Sequence, residues 1–135
     1  MTEAIQMTEE QQQQWIKTQY QVATKYLAEK GVVTQSVQVE ESRYLVPILA
    51  LWKLTSIDGN KFWVLCGDLP SDHSGVDVAP NAREALRHFS LKWQMQAENL
   101  LQANNEEQNK FAHLLIGRAD GLYKLFNNES LWQSK

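Results

Sequence analysis

The sequence predicts an α+β domain: a three-stranded antiparallel sheet with three main helices, in the order αβββαα, packed on one face. Three observations carry this. Two long stretches in the second half and one near the start repeat apolar residues at helical spacing behind recognisable caps. Between them lie short runs rich in β-branched and aromatic residues, which read as strands. Asp58-Gly59 separates the two most strand-like of these runs, the strongest short-range signal for a hairpin.

The elements follow in order. Met1 to Met7 has little apolar content and is expected to be a flexible tail. Thr8-Glu9-Glu10-Gln11 offers a capping box, in which the Thr8 and Gln11 side chains satisfy each other's exposed backbone donors. Behind it, Trp15, Ile16, Tyr20, Ala23, Tyr26 and Leu27 define a first helix from about Glu9 to Lys30, with Gly31 placed to end it in a left-handed conformation. Val33, Val37 and Val39 alternate with polar residues, the period of an edge strand. Glu40 to Tyr44 breaks that pattern, and Pro47 defers the next strand to Ile48–Thr55.

A two-residue turn at Asp58-Gly59 sets Ile57 opposite Asn60, and then Leu54 across from Trp63 and Trp52 across from Leu65. On this register one sheet face carries two tryptophans and two leucines, while Thr55 with Phe62 and Lys53 with Val64 form a less apolar face. Phe62–Cys66 is the third strand. Asn81 and Glu84 open a second helix that runs to roughly Ala103, and Asn105 with Gln108 opens a third that ends near Asn127. The third helix draws its stripe from Phe111, Leu114, Leu115, Leu122, Leu125 and Phe126, interrupted by Arg118. Gly117 and Gly121, four residues apart on another face, read as a site of close backbone approach. Asn128–Lys135 adds a last turn that folds Trp132 back.

No repeat or linker divides the 135 residues, so a single domain over 1–135 is expected. Five tryptophans supply a large aromatic payload and argue for an ordered core. A formal net charge of −3, spread along the chain, argues against a nucleic-acid surface, which concentrates Lys and Arg into a stripe. No run reaches the roughly eighteen apolar residues of a membrane span. Cys66 is the single cysteine and lies in an apolar strand, which leaves no disulfide framework or thiolate metal site and suits a reducing cytoplasm.

Residues able to carry chemistry concentrate after the third strand. Asp68, Asp72, His73 and Asp77 share a loop with Pro70, Gly75 and Pro80. Their spacing matches neither a calcium loop nor a zinc-binding helix, so no metal and no cofactor is implied. The plain reading is that Asp68 and Asp72 accept hydrogen bonds from nearby amides in turns. The functional one is a ligand site in which Asp68, Asp72 and His73 act with Arg43, Arg83 or Arg118 as anion contacts. Arg118, inside an apolar stripe, is expected to meet Asp68, Glu41 or Asp120 within the fold, or to lie beneath that pocket. No nucleophile motif or phosphate-cradling loop is present, so no residue is assigned a catalytic role and an enzyme is disfavoured.

Helix two has a second unusual face. Measured at about 100° per residue, Leu91 and Met95 fall almost opposite the main stripe of Ala82, Ala85, Leu86, Phe89, Trp93 and Ala97, with Glu84 and His88 beside them. Burial inside the fold explains such a face, and so does a partner or dimer surface.

The segments EESRYLVPILALWKL, KFWVLCGDLPSDH and NAREALRHFSLKWQ, with RADGLYKLF near the end, resemble a family of small uncharacterised proteins found mostly in proteobacteria and labelled as a domain of unknown function. The likeness covers most of residues 9–132 and includes the Trp-x-x-x-Gly-Asp-Leu-Pro pattern at Trp63–Pro70. It implies a bacterial cytoplasmic protein and supplies no activity. The expectation is therefore a non-enzymatic module that binds a protein partner or itself, with a small-molecule binder or hydrolase at the Asp68–Asp77 loop as the alternative.

Overall fold

A computed structural model describes residues 7–132. The expected tail lies outside them except for Met7. The protein is α+β, and the chain divides into two compact units between Val76 and Asp77, inside the segment that the sequence presents as one loop.

The first unit opens with α1 (Glu9–Glu29), begun by the Thr8–Gln11 capping box in both directions. Gly31, at φ +85°, ends it as expected. The Val32 amide donates to Leu27 O and the Gly31 amide to Ala28 O, the paired bonds of a left-handed helix stop.

Its sheet has five antiparallel strands rather than three: β1 (Thr34–Val37), β2 (Arg43–Leu45), β3 (Leu49–Ser56), β4 (Lys61–Gly67) and β5 (Asp72–Gly75). β3 is central. β4 pairs with one of its edges and carries β5, while β1 and β2 lie along the other edge, beside the end and the start of β3. Between those two, the Lys53 backbone finds its own partners: its amide donates to Ser42 Oγ and its carbonyl accepts from the Gln38 amide. A cis Val46–Pro47 bond sits in the tight turn from β2 to β3, closed by the Ile48 amide on Leu45 O. Pro47 therefore joins two strands, where the sequence reading only delays one.

The hairpin forms at Asp58-Gly59, but its register differs by one residue from the expected one. Ser56 bonds through its amide to Asn60 O, leaving a three-residue loop, Ile57-Asp58-Gly59, in which only Gly59 has positive φ, at +91°. Ser56 Oγ donates to Asp58 Oδ1, which holds Asp58 in a conformation that the two-residue turn does not use. Leu54 therefore pairs with Phe62, Trp52 with Val64 and Lys53 with Trp63. One residue of slip sends a side chain to the opposite face, so Trp52 and Trp63 lie on opposite faces instead of sharing one.

The face bearing Ala50, Trp52, Leu54, Val64 and Cys66 packs with Ala23 and Leu27 of α1 to form the core of this unit. Tyr20 and Tyr44 meet the Trp52 ring at centroid distances of 5.3 and 4.9 Å. On the second face Leu49, Leu51, Trp63 and Leu65 are buried in turn, and Lys53 places its ammonium 5.5 Å from the Trp63 centroid while pairing with Glu41.

The second unit is a hairpin of α2 (Ala82–Gln102) and α3 (Glu106–Asn127), capped by Asn81 and Asn105 as expected. Small residues let the helices approach, and Ser90 Oγ donates to Ala119 O at 2.8 Å. Arg83 Nε donates to Phe126 O at 2.9 Å, setting a cation at the negative end of α3. Trp132 folds back as expected, its indole N–H donating to Leu125 O; Gln133 to Lys135 lie outside the described residues.

The buried stripe of α3 is Ala112, Leu115, Ala119 and Leu122. Phe111 and Leu114 lie off it and are exposed, and so is Arg118, which therefore does not sit inside the fold. Two alanines, too small to stand out in a sequence pattern, mark the true centre. Gly117 and Gly121 face open space, so the expected close backbone approach is absent.

Replacing Gly67 tests the β3–β4 geometry. Its φ is +132°, and an added Cβ would lie 2.6 Å from Ile48 O and 2.7 Å from Leu49 Cα. Gly67→Ala is expected to lower the unfolding free energy by about 2–4 kcal/mol in urea titrations. Gly117→Ala and Gly121→Ala, in open helical positions, are each expected to raise it by roughly 0.5–1 kcal/mol.

Candidate functional site

Two places in the fold hold chemistry that packing alone does not use up. The first lies in unit one, where β5 runs beside β4. Its register pairs Asp72 with Leu65 and His73 with Val64, so the two side chains leave opposite faces of the sheet. The segment from Asp68 to Asp77 is thus not a continuous loop: a strand occupies Asp72–Gly75, followed by a 3₁₀ turn at Val76–Val78. Short length and an absence of large apolar residues hid this strand in the sequence.

His73 turns toward α1, where its Nδ1 lies 2.8 Å from the Tyr26 hydroxyl. With the imidazole proton on Nε2, Tyr26 donates this bond. The two rings meet edge to face at 5.4 Å, Phe62 adds a second edge contact at 6.0 Å, and the Lys30 ammonium stands 5.4 Å from the Tyr26 centroid. Burial, with a further contribution from the charge of Asp72, pushes the Tyr26 hydroxyl up to about 12, so it stays a proton donor at neutral pH. Nothing in the sequence pairs residues 47 apart, and Tyr26 reads there only as part of a core stripe.

Asp72 Oδ1 accepts from the His73 amide at 2.8 Å, the backbone role that the plain reading gives it. Asp68 is exposed, and its amide donates to Ile48 O. Arg43 pairs with Leu51 across β2 and β3, which puts it on the Asp72 face and on the same row, at the far edge of the sheet. Arg83 and Arg118 belong to the second unit, the first bound to Phe126 O and the second exposed. Among the described residues no three His, Cys, Asp or Glu side chains are placed to hold a metal ion.

Cys66 faces α1 in the same layer as Trp52. Its thiol donates to Gln19 O at 3.5 Å, and burial pushes it up to about 11. It remains a protonated, packed side chain.

The second place is the outer face of α2. Leu91 is 42 % and Met95 67 % exposed, so the second apolar face of this helix is left open by the described residues. Gln94 and Glu98 lie beside them, also exposed, and Arg87 stands one turn before Leu91. Toward α3 the same face descends into a groove of about 380 Å³ with Ala97, Leu101, Ile116 and Tyr123 on its walls and Gln94, Glu98 and Asp120 at its rim. Glu84 and His88, expected to flank this face, are half-buried; Glu84 reaches Arg87 at 3.9 Å, and the His88 ring meets Phe89 edge-on at 5.5 Å. No helix among the described residues is long and apolar enough to cross a membrane.

A family model described as Domain of unknown function (DUF4826) matches residues 9–132. No curated protein and no solved structure matches the chain.

Two measurements follow. Stability is expected to fall as pH rises through about 9 to 11, because the unfolded Cys66 thiol ionises near 9.0 while the folded one waits until about 11, with Tyr26 extending the loss from 10.0 toward 12. Cys66→Ala should remove the lower part of this loss in pH-resolved urea titrations, and an unchanged profile would contradict the assignment. Tyr26→Phe deletes the donor to His73 and is expected to cost about 1 kcal/mol at neutral pH.

Proposed function

The chain belongs to the DUF4826 family, and on that premise we propose that it is a non-enzymatic protein-interaction module of the bacterial cytoplasm that associates with itself through the outer face of α2. The observation that carries this is the exposure of Leu91 and Met95, one turn apart, on a helix whose opposite side is fully packed. Covering the exposed parts of these two side chains contributes about 0.5–2 kcal/mol each, enough to drive weak association when a second apolar surface meets them. Cys66, a lone buried thiol, supports the cytoplasmic location.

The Tyr26–His73 contact favours a second reading, a small-molecule site for an anionic ligand. In it His73 and the Tyr26 hydroxyl, with the Lys30 ammonium, would make the contacts, because Asp72 leaves the opposite face of the sheet. What supports it is a polar pair held in a half-buried aromatic setting beside the Lys30 ammonium. Thermal shifts with inorganic phosphate check it: stabilisation that His73→Ala abolishes would favour this reading.

Sedimentation velocity over a wide concentration range tests the main proposal. Wild-type protein is expected to show a concentration-dependent dimer, and the Leu91→Ser, Met95→Ser double variant to raise its dissociation constant by roughly tenfold or more. A wild-type chain that stays monomeric throughout would overturn it.

A further inference from the structure

The exposed row on α2 is complementary to itself in one orientation only. Along it stand Arg87, Leu91, Gln94, Met95 and Glu98, all exposed, with the cation at one end and the carboxylate at the other. From Arg87 to Glu98 the helix rises about 16 Å, and the midpoint of that span falls level with Lys92 and Trp93, beside the Leu91–Met95 pair. A two-fold axis through this midpoint, perpendicular to the helix, brings Arg87 of each copy against Glu98 of the other. It also seats Leu91 of each copy beside Gln94 and Met95 of its mate. Parallel packing would set Arg87 against Arg87 and Glu98 against Glu98, so like charges exclude it.

Resting on the self-association reading above, we propose that the occupant of this face is a second copy of the chain, docked antiparallel, α2 on α2. Two Arg87–Glu98 ion pairs close the ends of the apolar contact. The existing partner of Arg87 does not compete strongly: Glu84 lies 3.9 Å away in an exposed contact of a kind worth little. Gln94, at the centre, is already oriented, its Nε2 donating at 3.1 Å to Ser90 Oγ, which in turn donates to Ala119 O. The middle of the interface is therefore held by the hairpin before a partner arrives. Charge at both ends fixes register and direction, while Leu91 and Met95 supply the attraction.

Charge reversal separates this geometry from self-association in general. Arg87→Glu and Glu98→Arg each put like charges at both ends of the interface, and each is expected to weaken homodimerisation by about tenfold or more in sedimentation equilibrium. Mixed one to one, the two variants restore opposite charges at both ends, so native mass spectrometry should show a heterodimer and few homodimers. Both residues are exposed, and an unchanged thermal melt confirms that each variant folds. Homodimers of both reversals as strong as wild type, or a mixture that fails to associate, would overturn the antiparallel pairing while leaving self-association standing. A monomeric wild-type chain would overturn both.

Discussion

The register of the β3–β4 hairpin is the constraint on which the rest of the first unit depends. It is set by one loop, in which Ser56 pairs with Asn60, Asp58 takes the Ser56 hydroxyl and Gly59 supplies the only positive φ. Because side chains alternate strictly along a strand, this choice decides which tryptophan meets α1 and which occupies the other face. It also propagates to β5, where Val64 carries His73 toward α1 and Leu65 carries Asp72 away from it. The Tyr26–His73 bond is thus a consequence of a loop on the neighbouring hairpin. Gly67 keeps the far end of the same strand pair close, since no side chain fits between it and Ile48–Leu49.

Local rules made much of this fold legible in advance. Thr8, Asn81 and Asn105 mark helix starts because a capping side chain needs only the amide three residues on, and Gly31 marks a stop for a similarly local reason. What escaped depends on distance or on small differences. β2 and β5 are three and four residues long, too short for periodicity to register. A two-residue and a three-residue turn share the same Asp-Gly signal, and choosing between them rests on the Ser56 hydroxyl. Large neighbours make Arg118 look part of the α3 stripe, whereas alanines at 112 and 119 define the face that packs.

The candidate site divides along the same line. Helical arithmetic alone places Leu91 and Met95 on an outer face of α2, and both are exposed among the described residues. Whether polar groups from Asp68 to Asp77 act together depends on strand register, which sequence proximity conceals: Asp72 and His73 are neighbours that point apart. Apolar surface left open on a packed helix, bracketed by one cation and one carboxylate, is a feature that stability of the monomer does not call for.

Methyl NMR on a dilution series addresses the central claim, self-association through α2, most directly. The account predicts that the Leu91 and Met95 methyl signals shift with concentration while those of the buried Leu27 and Leu54 stay fixed. Concentration-independent Leu91 and Met95 signals, or changes confined to residues away from α2, would contradict it.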